Sequence, residues 1–325
     1  MQTAALKGSS VIKHSGVLYQ SDSMRNFAST LRRTIGGQRR VLRARWHAIR
    51  PRRGRPHQLP AELVVSLTSF PARFATLHLT IGCLLDQTVR PDRIVLWIAN
   101  EDMGAVPKAV TNLERRGLEI RACDDLRSYK KLVPALESFP DAYIVTADDD
   151  LEFARDWLET LVDGVSTQER SIVCHRAHRS SWRADRRLAD YLDWEFDVQD
   201  ERARHPSMDI MPTTGAGALF PPQVLPDFAT DRSLFGRLCP DGDDVWFWWC
   251  ARLAGTPIRK VGGVNSLFTW PGSQESTLWE VNRAGGNDRM IQALSAAFPA
   301  ALTLTTSPAR ALRSRKVSQT GTIGR

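Results

Sequence analysis

Residues 142–150 read AYIVTADDD, a short run of apolar and β-branched residues that ends in three aspartates. Ala142–Thr146 has the length and composition of a buried strand. Working back from it, Lys130–Ser138 carries a helical pattern and Leu118–Ala122 reads as a short strand. Residues 107–116 look helical and stop at Gly117, where a left-handed cap is expected. Arg93–Ile98, RIVLWI, reads as another buried strand. From about Thr76 to Gln87, Leu77, Ile81, Leu84 and Leu85 fall on one helical face, with Pro91 beyond as a stop. Leu63–Leu67 (LVVSL) begins the series as a strand. This alternation predicts an α/β fold, a mostly parallel central sheet flanked by helices. Ligands of such sheets sit beyond the carboxyl ends of the strands, and Asp148-Asp149-Asp150 stands at one of those ends.

Three adjacent carboxylates repel one another, so a fold keeps them only with cations or donors close by. Two carboxylates spaced D-x-D on a tight turn can both reach one hard divalent ion, Mn²⁺ or Mg²⁺. Such an ion keeps one or two carboxylates and takes substrate phosphates for the rest. The competing reading is a solvated acidic turn capping a helix that starts near Ala154. A second acidic pair, Asp243-Asp244, precedes the helical run VWFWWCARLAG. It is either catalytic or a cap favoured by the helix dipole. Gly215-Ala216-Gly217, between Pro212 and Phe220, is a turn or a place where backbone approaches a ligand. Of Trp246, Trp248 and Trp249, helical spacing buries at least two and leaves one that could stack on a sugar ring. His175 and His178, in CHRAHRSSW, follow an apolar run and have no third ligand nearby, which argues against a metal pair.

The 325 residues are 42% hydrophobic, with 44 Lys and Arg against 36 Asp and Glu. The mean hydropathy is −0.30. That suits a globular protein of one large or two small domains. Residues 1–60 hold 13 Lys and Arg and one acid, Asp22; residues 306–325 hold five basic residues and none. The stretch 61–305, with 26 basic and 35 acidic residues, is therefore acidic. An acidic body argues against a nucleic-acid-binding core. Basic ends could touch nucleic acid, and could equally hold the chain to an anionic membrane surface. Phe27, Leu31 and Ile35, with arginines around them, fit a basic amphipathic helix, and Arg50–Pro60 reads as an extended linker. The expected organisation is a basic arm and linker over 1–60, a folded domain over 61–305 and a disordered basic tail over 306–325. Five cysteines, Cys83, Cys123, Cys174, Cys239 and Cys250, show no CxxC spacing, so a reducing cytoplasm is expected. No stretch approaches the roughly 18 apolar residues of a membrane span, and the N-terminus lacks the pattern of a secretory signal.

The run SLTSFPARFATLHLTIGCLLDQTVRPDRIVLWIA, followed by DLRSYKKLVPALESFPDAYIVTADDDLEF, resembles bacterial glycosyltransferases of the GT-A fold. It is most similar to family-2-like enzymes with a TADDD motif. The resemblance continues through TGAGALFPP and CPDGDDVWFWWCARLAGT to NDRMIQALSAAFP, and so covers about Glu62 to Pro299. It implies a nucleotide-sugar donor site in which Asp150 is the main ligand of Mn²⁺ or Mg²⁺. Asp148 and Asp149 would support it or touch the ribose. Thr68, Ser69 and Arg73 would lie along the nucleotide, Asp124 or Asp125 would face base or ribose, and Lys130 or Lys131 would reach a phosphate. Gly215 and Gly217 would line the sugar site, and Arg176 could contact donor or acceptor. Asp244 would be the general base of an inverting transfer, with Asp243 assisting or binding the acceptor. This chain has D-D where the commoner pair is E-D, which leaves the choice between the two open. The late histidine that usually completes the metal site is absent, since no histidine follows His205. Asn287 and Asp288 are candidates to replace it.

The implied activity is metal-dependent transfer of a sugar to a hydroxyl acceptor, a surface polysaccharide or lipid-linked glycan. The enzyme would be cytoplasmic, peripheral on the inner membrane where the basic arm holds it. A sugar nucleotidyltransferase or a non-catalytic nucleotide- or glycan-binding protein are the alternatives. The first usually opens with a glycine-rich loop that SLTSFPAR lacks, and the second would dispense with Asp243-Asp244.

Overall fold

Residues 63–68, LVVSLT, are buried on both faces: Leu63, Val65 and Leu67 belong to one apolar cluster and Val64 to another. A strand apolar on both sides needs cover on both sides, which makes it the middle of a layered fold. The computed structural model describes residues 41, 54–166, 168–185, 187–262, 267–273 and 285–303. The chain divides into two units, Met1–Arg43 and Ala44–Arg325, and every element named below belongs to the second. The segment around Phe27, Leu31 and Ile35 and the tail after Ser307 lie outside the described residues.

Strand β1 (Arg55–Pro56) leads to β2 (Leu63–Thr68), helix α1 (Phe74–Leu84), β3 (Val89–Arg90), β4 (Arg93–Ala99) and β5 (Leu118–Cys123). Helix α2 (Val133–Ser138), β6 (Tyr143–Ala147), β7 (Leu151–Glu152), α3 (Trp157–Asp163), β8 (Ile172–Cys174) and β9 (Ala177–Arg179) follow. Then come β10 (Ile210–Pro212), β11 (Ala218–Phe220), α4 (Arg232–Leu238), α5 (Asp243–Ala254), β12 (Ile258–Lys260), β13 (Phe268–Thr269) and α6 (Asn287–Ala297).

The central sheet has seven strands in the order β12-β8-β11-β6-β2-β4-β5, and β11 alone runs against its neighbours. The expected α/β architecture is therefore present. After β2 the chain adds β4 and β5 on one side, then crosses to place β6 on the other. The carboxyl ends of β2 and β6 thus flank the point where the strand order reverses. Loops diverge there and leave a crevice. Helices α1 and α3 cover one face through Leu77, Ile81, Leu158 and Leu161. Helices α5 and α6 cover the other through Trp246, Phe247, Trp249, Ile291 and Leu294.

Several elements differ locally from the sequence reading. The helix placed over 107–116 is a single α-turn, Lys108–Thr111, that tightens to 3₁₀ before Gly117, whose φ of 104° supplies the left-handed cap. Over 127–131 the chain is also 3₁₀, and α-helix starts only at Val133, with Pro134 in the first turn where proline is tolerated. Helix α3 begins at Trp157, three residues after Ala154. Within the stretch read as a linker, β1 pairs in parallel with β3, and Arg55 Nη2 donates to Glu159 at 2.8 Å.

Candidate functional site

The loop after β2 and the turn after β6 meet because their strands are neighbours. Ser69, one residue past β2, donates its hydroxyl to Asp149 Oδ2. Arg73 Nη1 lies 3.3 Å from Asp149 Oδ1 and also bonds to Asp150 Oδ2. The turn itself is clamped from below. Thr80 Oγ1, on α1, bonds the carbonyls of Asp149 and Leu151 at 2.9 and 3.0 Å and receives Trp270 Nε1 at 2.8 Å. Trp270 N donates to the Asp150 carbonyl at 3.1 Å, while β13 pairs with β7 just beyond the aspartates. The triplet is thus a fixed loop, and Asp149 and Asp150 are each only 7% exposed. Burial pushes the Asp149 carboxyl up to about 7, against the Ser69 hydrogen bond and the Arg73 charge that favour its ionised form.

Asp148 points the other way. Lys131 Nζ donates to Asp148 Oδ1 at 2.9 Å and lies 3.2 Å from Asp243 Oδ2. One buried ammonium therefore joins the first acidic cluster to the second. Burial works against its charge, yet Asp148, Asp243 and Asp244 together hold Lys131 protonated, well above the usual lysine range. Asp148 N donates to the Gly215 carbonyl at 3.0 Å, and a Cβ on Gly215 would lie 1.8 Å from Asp148 Oδ2. Glycine is required there by the carboxylate above it. Gly217 has φ 116°, and a Cβ on it would meet the Trp157 indole at 2.6 Å.

Asp243 and Asp244 open α5, where the helix dipole favours negative charge. Their partners come from outside the helix. Thr214 donates to Asp244 Oδ1 through its N at 2.9 Å and its Oγ1 at 2.5 Å, and that Oγ1 lies 3.3 Å from Asp243 Oδ2. Burial raises the Asp244 carboxyl to about 6, helped by the Asp243 charge and opposed by Lys131 and Thr214. Both acidic groups open onto one cleft of about 1120 Å³. Its walls include Thr68, Phe70, Asp125, Arg127, Lys130, Arg176 and Tyr191. Asn287 also lines it, and burial raises the Tyr191 hydroxyl pKa.

No protein-family model matches the chain, and no curated protein matches it. Among solved structures it is similar to GalNAc-T7 with UDP, GalNAc and Mn²⁺ (TM-score 0.41, 13% identity). That match covers 75% of this chain, which spans about half, 52%, of the GalNAc-T7 chain. It is also similar to 4-diphosphocytidyl-2C-methyl-D-erythritol synthase from Anaerococcus prevotii (TM-score 0.41, 12% identity, 73% of this chain and 98% of that one). The inositol-1-phosphate CTP transferase from T. maritima gives a TM-score of 0.36 at 8% identity, over 73% of this chain and 98% of that one. These are similarities of chain path at low identity.

The residues expected at the site separate into three groups. Thr68, Ser69, Arg73, Lys130, Lys131, Asp148, Asp149, Asp150, Gly215, Asp243 and Asp244 all line the cleft, whereas Gly217 is not part of its lining and lies against Trp157. Asp124 turns to the surface, bonded to Arg232 and to Asn100 Nδ2 at 3.3 Å; its neighbour Asp125 faces the cleft and pairs with Lys130 at 2.6 Å. Asp288 is drawn off to Tyr191, whose N donates to its Oδ1 at 2.7 Å, while Asn287 lines the cleft. Among the described residues no group of three or more His, Cys, Asp or Glu side chains is placed to hold a metal ion. Trp246, Trp248 and Trp249 are all fully buried, so none presents a ring to a sugar. His175 and His178 are held neutral by burial, their pKa values lowered to about 4 and about 3. Thr214, Thr80, Arg127, Tyr191 and Asp241 escaped the sequence reading, while of the alternatives Asp124 and Asp125 it is Asp125 that lines the cleft. Only Thr214 carried a local signal, as the hydroxyl residue before the glycines.

Proposed function

We propose that the chain is a metal-dependent glycosyltransferase that moves a sugar from a nucleoside-diphosphate sugar to a hydroxyl acceptor with inversion. The observation that carries this reading is one cleft shared by two acidic groups, Asp148–Asp150 and Asp243–Asp244, with Lys131 between them. Their chemistry differs. The first group is a set of hard oxygen ligands at a strand end, which fits Mn²⁺ or Mg²⁺ that takes its remaining ligands from a diphosphate. Asp150 and Asp148 would hold the ion, and Asp288 is given no part. When bound, the ion supplies charge neutralisation for the departing diphosphate.

The rest falls to side chains. Ser69, Arg73 and Asp125 position the nucleotide, and Lys130 and Arg127 lie on the wall where phosphate charge must be met. Asp244 receives the acceptor hydroxyl proton. With Oδ1 fixed by Thr214, Oδ2 is assigned that proton, and an elevated pKa suits a base working near neutrality. Asp243 keeps Lys131 charged and borders the acceptor. Gly215 leaves room for the sugar beside Asp148.

The acceptor is assigned to surface polysaccharide or lipid-linked glycans, with the basic arm of residues 1–60 holding a cytoplasmic enzyme at the membrane. Among the described residues no helix is long and apolar enough to cross a membrane. Full-length protein should bind anionic vesicles better than a variant with Arg32, Arg33, Arg39 and Arg40 changed to Gln; equal binding removes the arm from the account. Calorimetric titration with UDP, GDP, CDP and ADP, each with and without Mn²⁺, tests the donor site. One diphosphate should bind tightly only with metal. Metal-independent binding, or none, overturns the reading.

A further inference from the structure

Arg73 occupies the place a cation would want. It closes the turn Pro71–Arg73 that leads into α1, and its side chain is only 11% exposed. Its Nη1 reaches Asp149 Oδ1 at 3.3 Å and bonds Asp150 Oδ2, an oxygen of the proposed cation site. Lys131 meanwhile holds Asp148 at 2.9 Å. The carboxylates of Asp148–Asp150 therefore already hold two internal cations, against which an arriving metal ion must compete. Lys131 is committed elsewhere, since it also serves Asp243 at 3.2 Å. Arg73 has a long, jointed side chain that lines the open cleft beside Thr68 and Phe70. Its planar fork suits a diphosphate as well as it suits carboxylates.

Resting on the donor-site reading above, we infer that Arg73 is the built-in counter-ion of the cation site and makes metal capture conditional on a nucleoside diphosphate. An ion that arrives alone must displace the guanidinium and gains only carboxylate ligands. An ion that arrives with a diphosphate brings its own phosphate ligands and gives Arg73 a new anion to hold. Metal and nucleotide thus bind with positive coupling, which is reciprocal by linkage. Arg73 is a positioning residue in this scheme, and the empty enzyme is protected from random divalent ions.

The test is Mn²⁺ binding to the full-length protein, read by electron paramagnetic resonance, with and without UDP and, if UDP is not the preferred diphosphate, with GDP, CDP and ADP. Wild type should bind Mn²⁺ alone weakly and at least about tenfold more tightly with the nucleotide. Arg73→Gln should bind Mn²⁺ alone at least about tenfold more tightly than wild type, with little further gain from nucleotide. Arg73→Lys keeps the charge but loses the fork, and should fall between the two; it also serves if the glutamine variant does not fold. Unchanged or weaker Mn²⁺ binding in both variants, with nucleotide coupling intact, overturns the inference and leaves the donor site standing. A wild type that binds no nucleoside diphosphate with Mn²⁺ brings down both.

Discussion

Gly215→Ala isolates the geometry of the donor turn with a single methyl group. The new Cβ would lie 1.8 Å from Asp148 Oδ2 and 2.2 Å from its Cγ, where ordinary contact starts near 3.4 Å. The carboxyl group must retreat by about 1.5 Å. The backbones cannot part easily, because Asp148 N donates to the Gly215 carbonyl at 3.0 Å. The side chain must therefore rotate and loosen its 2.9 Å bond to Lys131. Overpacking of this kind costs about 1–3 kcal/mol, a fall in Tm of several degrees for a domain of this size. Function should suffer more than stability. Metal-dependent diphosphate affinity, measured by calorimetry, should drop more than about tenfold, since Asp148 leaves the position that faces the cleft. Asp148→Ala in the same chain removes the clash, so the double variant should recover its Tm without recovering binding. A Gly215→Ala protein with wild-type Tm and wild-type affinity would refute this account of the turn.

Further expectations follow from the charges and the core. Asp244 must be ionised to act as base, so kcat/KM should rise with pH through about 6 and then level. Lys131→Met removes a charge that lowers this pKa and should move the rising limb to higher pH; an unshifted limb separates Lys131 from the base. Asp149 has its pKa raised from an ordinary 3.8 to about 7, so the stability its protonated form contributes is complete below pH 4 and is lost as pH rises to 7. Asp149→Asn should therefore gain stability on metal-free wild type across that window, by a few kcal/mol at most, in urea unfolding at a series of pH values. A difference independent of pH would contradict the shift. Trp248 is fully buried against Trp194 and Arg252, and among the described residues its indole N–H has no hydrogen-bond partner. Trp248→Phe should cost about 1–2 kcal/mol or less and leave donor affinity unchanged; weakened sugar binding would return a stacking role to it.

The central strands were legible because each carries its own signal, an apolar run in LVVSL, RIVLWI or AYIVT bounded by turn residues. The aspartates of 148–150 and the pair 243–244 stood out for the same local reason. Strand β11 did not, since three residues, Ala218–Phe220, are too few to show a period, and its reversed direction depends on the excursion between β9 and β11. Helical periodicity also said that tryptophans in α5 would be buried but not how many, because that depends on what packs over the exposed half. The site contacts were out of reach altogether. Lys131 meets Asp243 across more than a hundred residues, and Thr214 meets Asp244 across thirty. Asp124 and Asp125 are adjacent on a loop, and Arg232 and Asn100, both distant in sequence, hold the first at the surface. Asp288 likewise looks available in sequence and is spent on a backbone N–H at Tyr191.

Product analysis tests the central claim most directly. Purified protein should be incubated with a panel of nucleoside-diphosphate sugars, Mn²⁺ and a glycan acceptor mixture, and separately with nucleoside triphosphates and sugar phosphates. The account predicts release of nucleoside diphosphate in the first set, dependent on Mn²⁺ and abolished by Asp244→Asn. Release of pyrophosphate in the second set, or turnover undiminished by loss of Asp244, would contradict it.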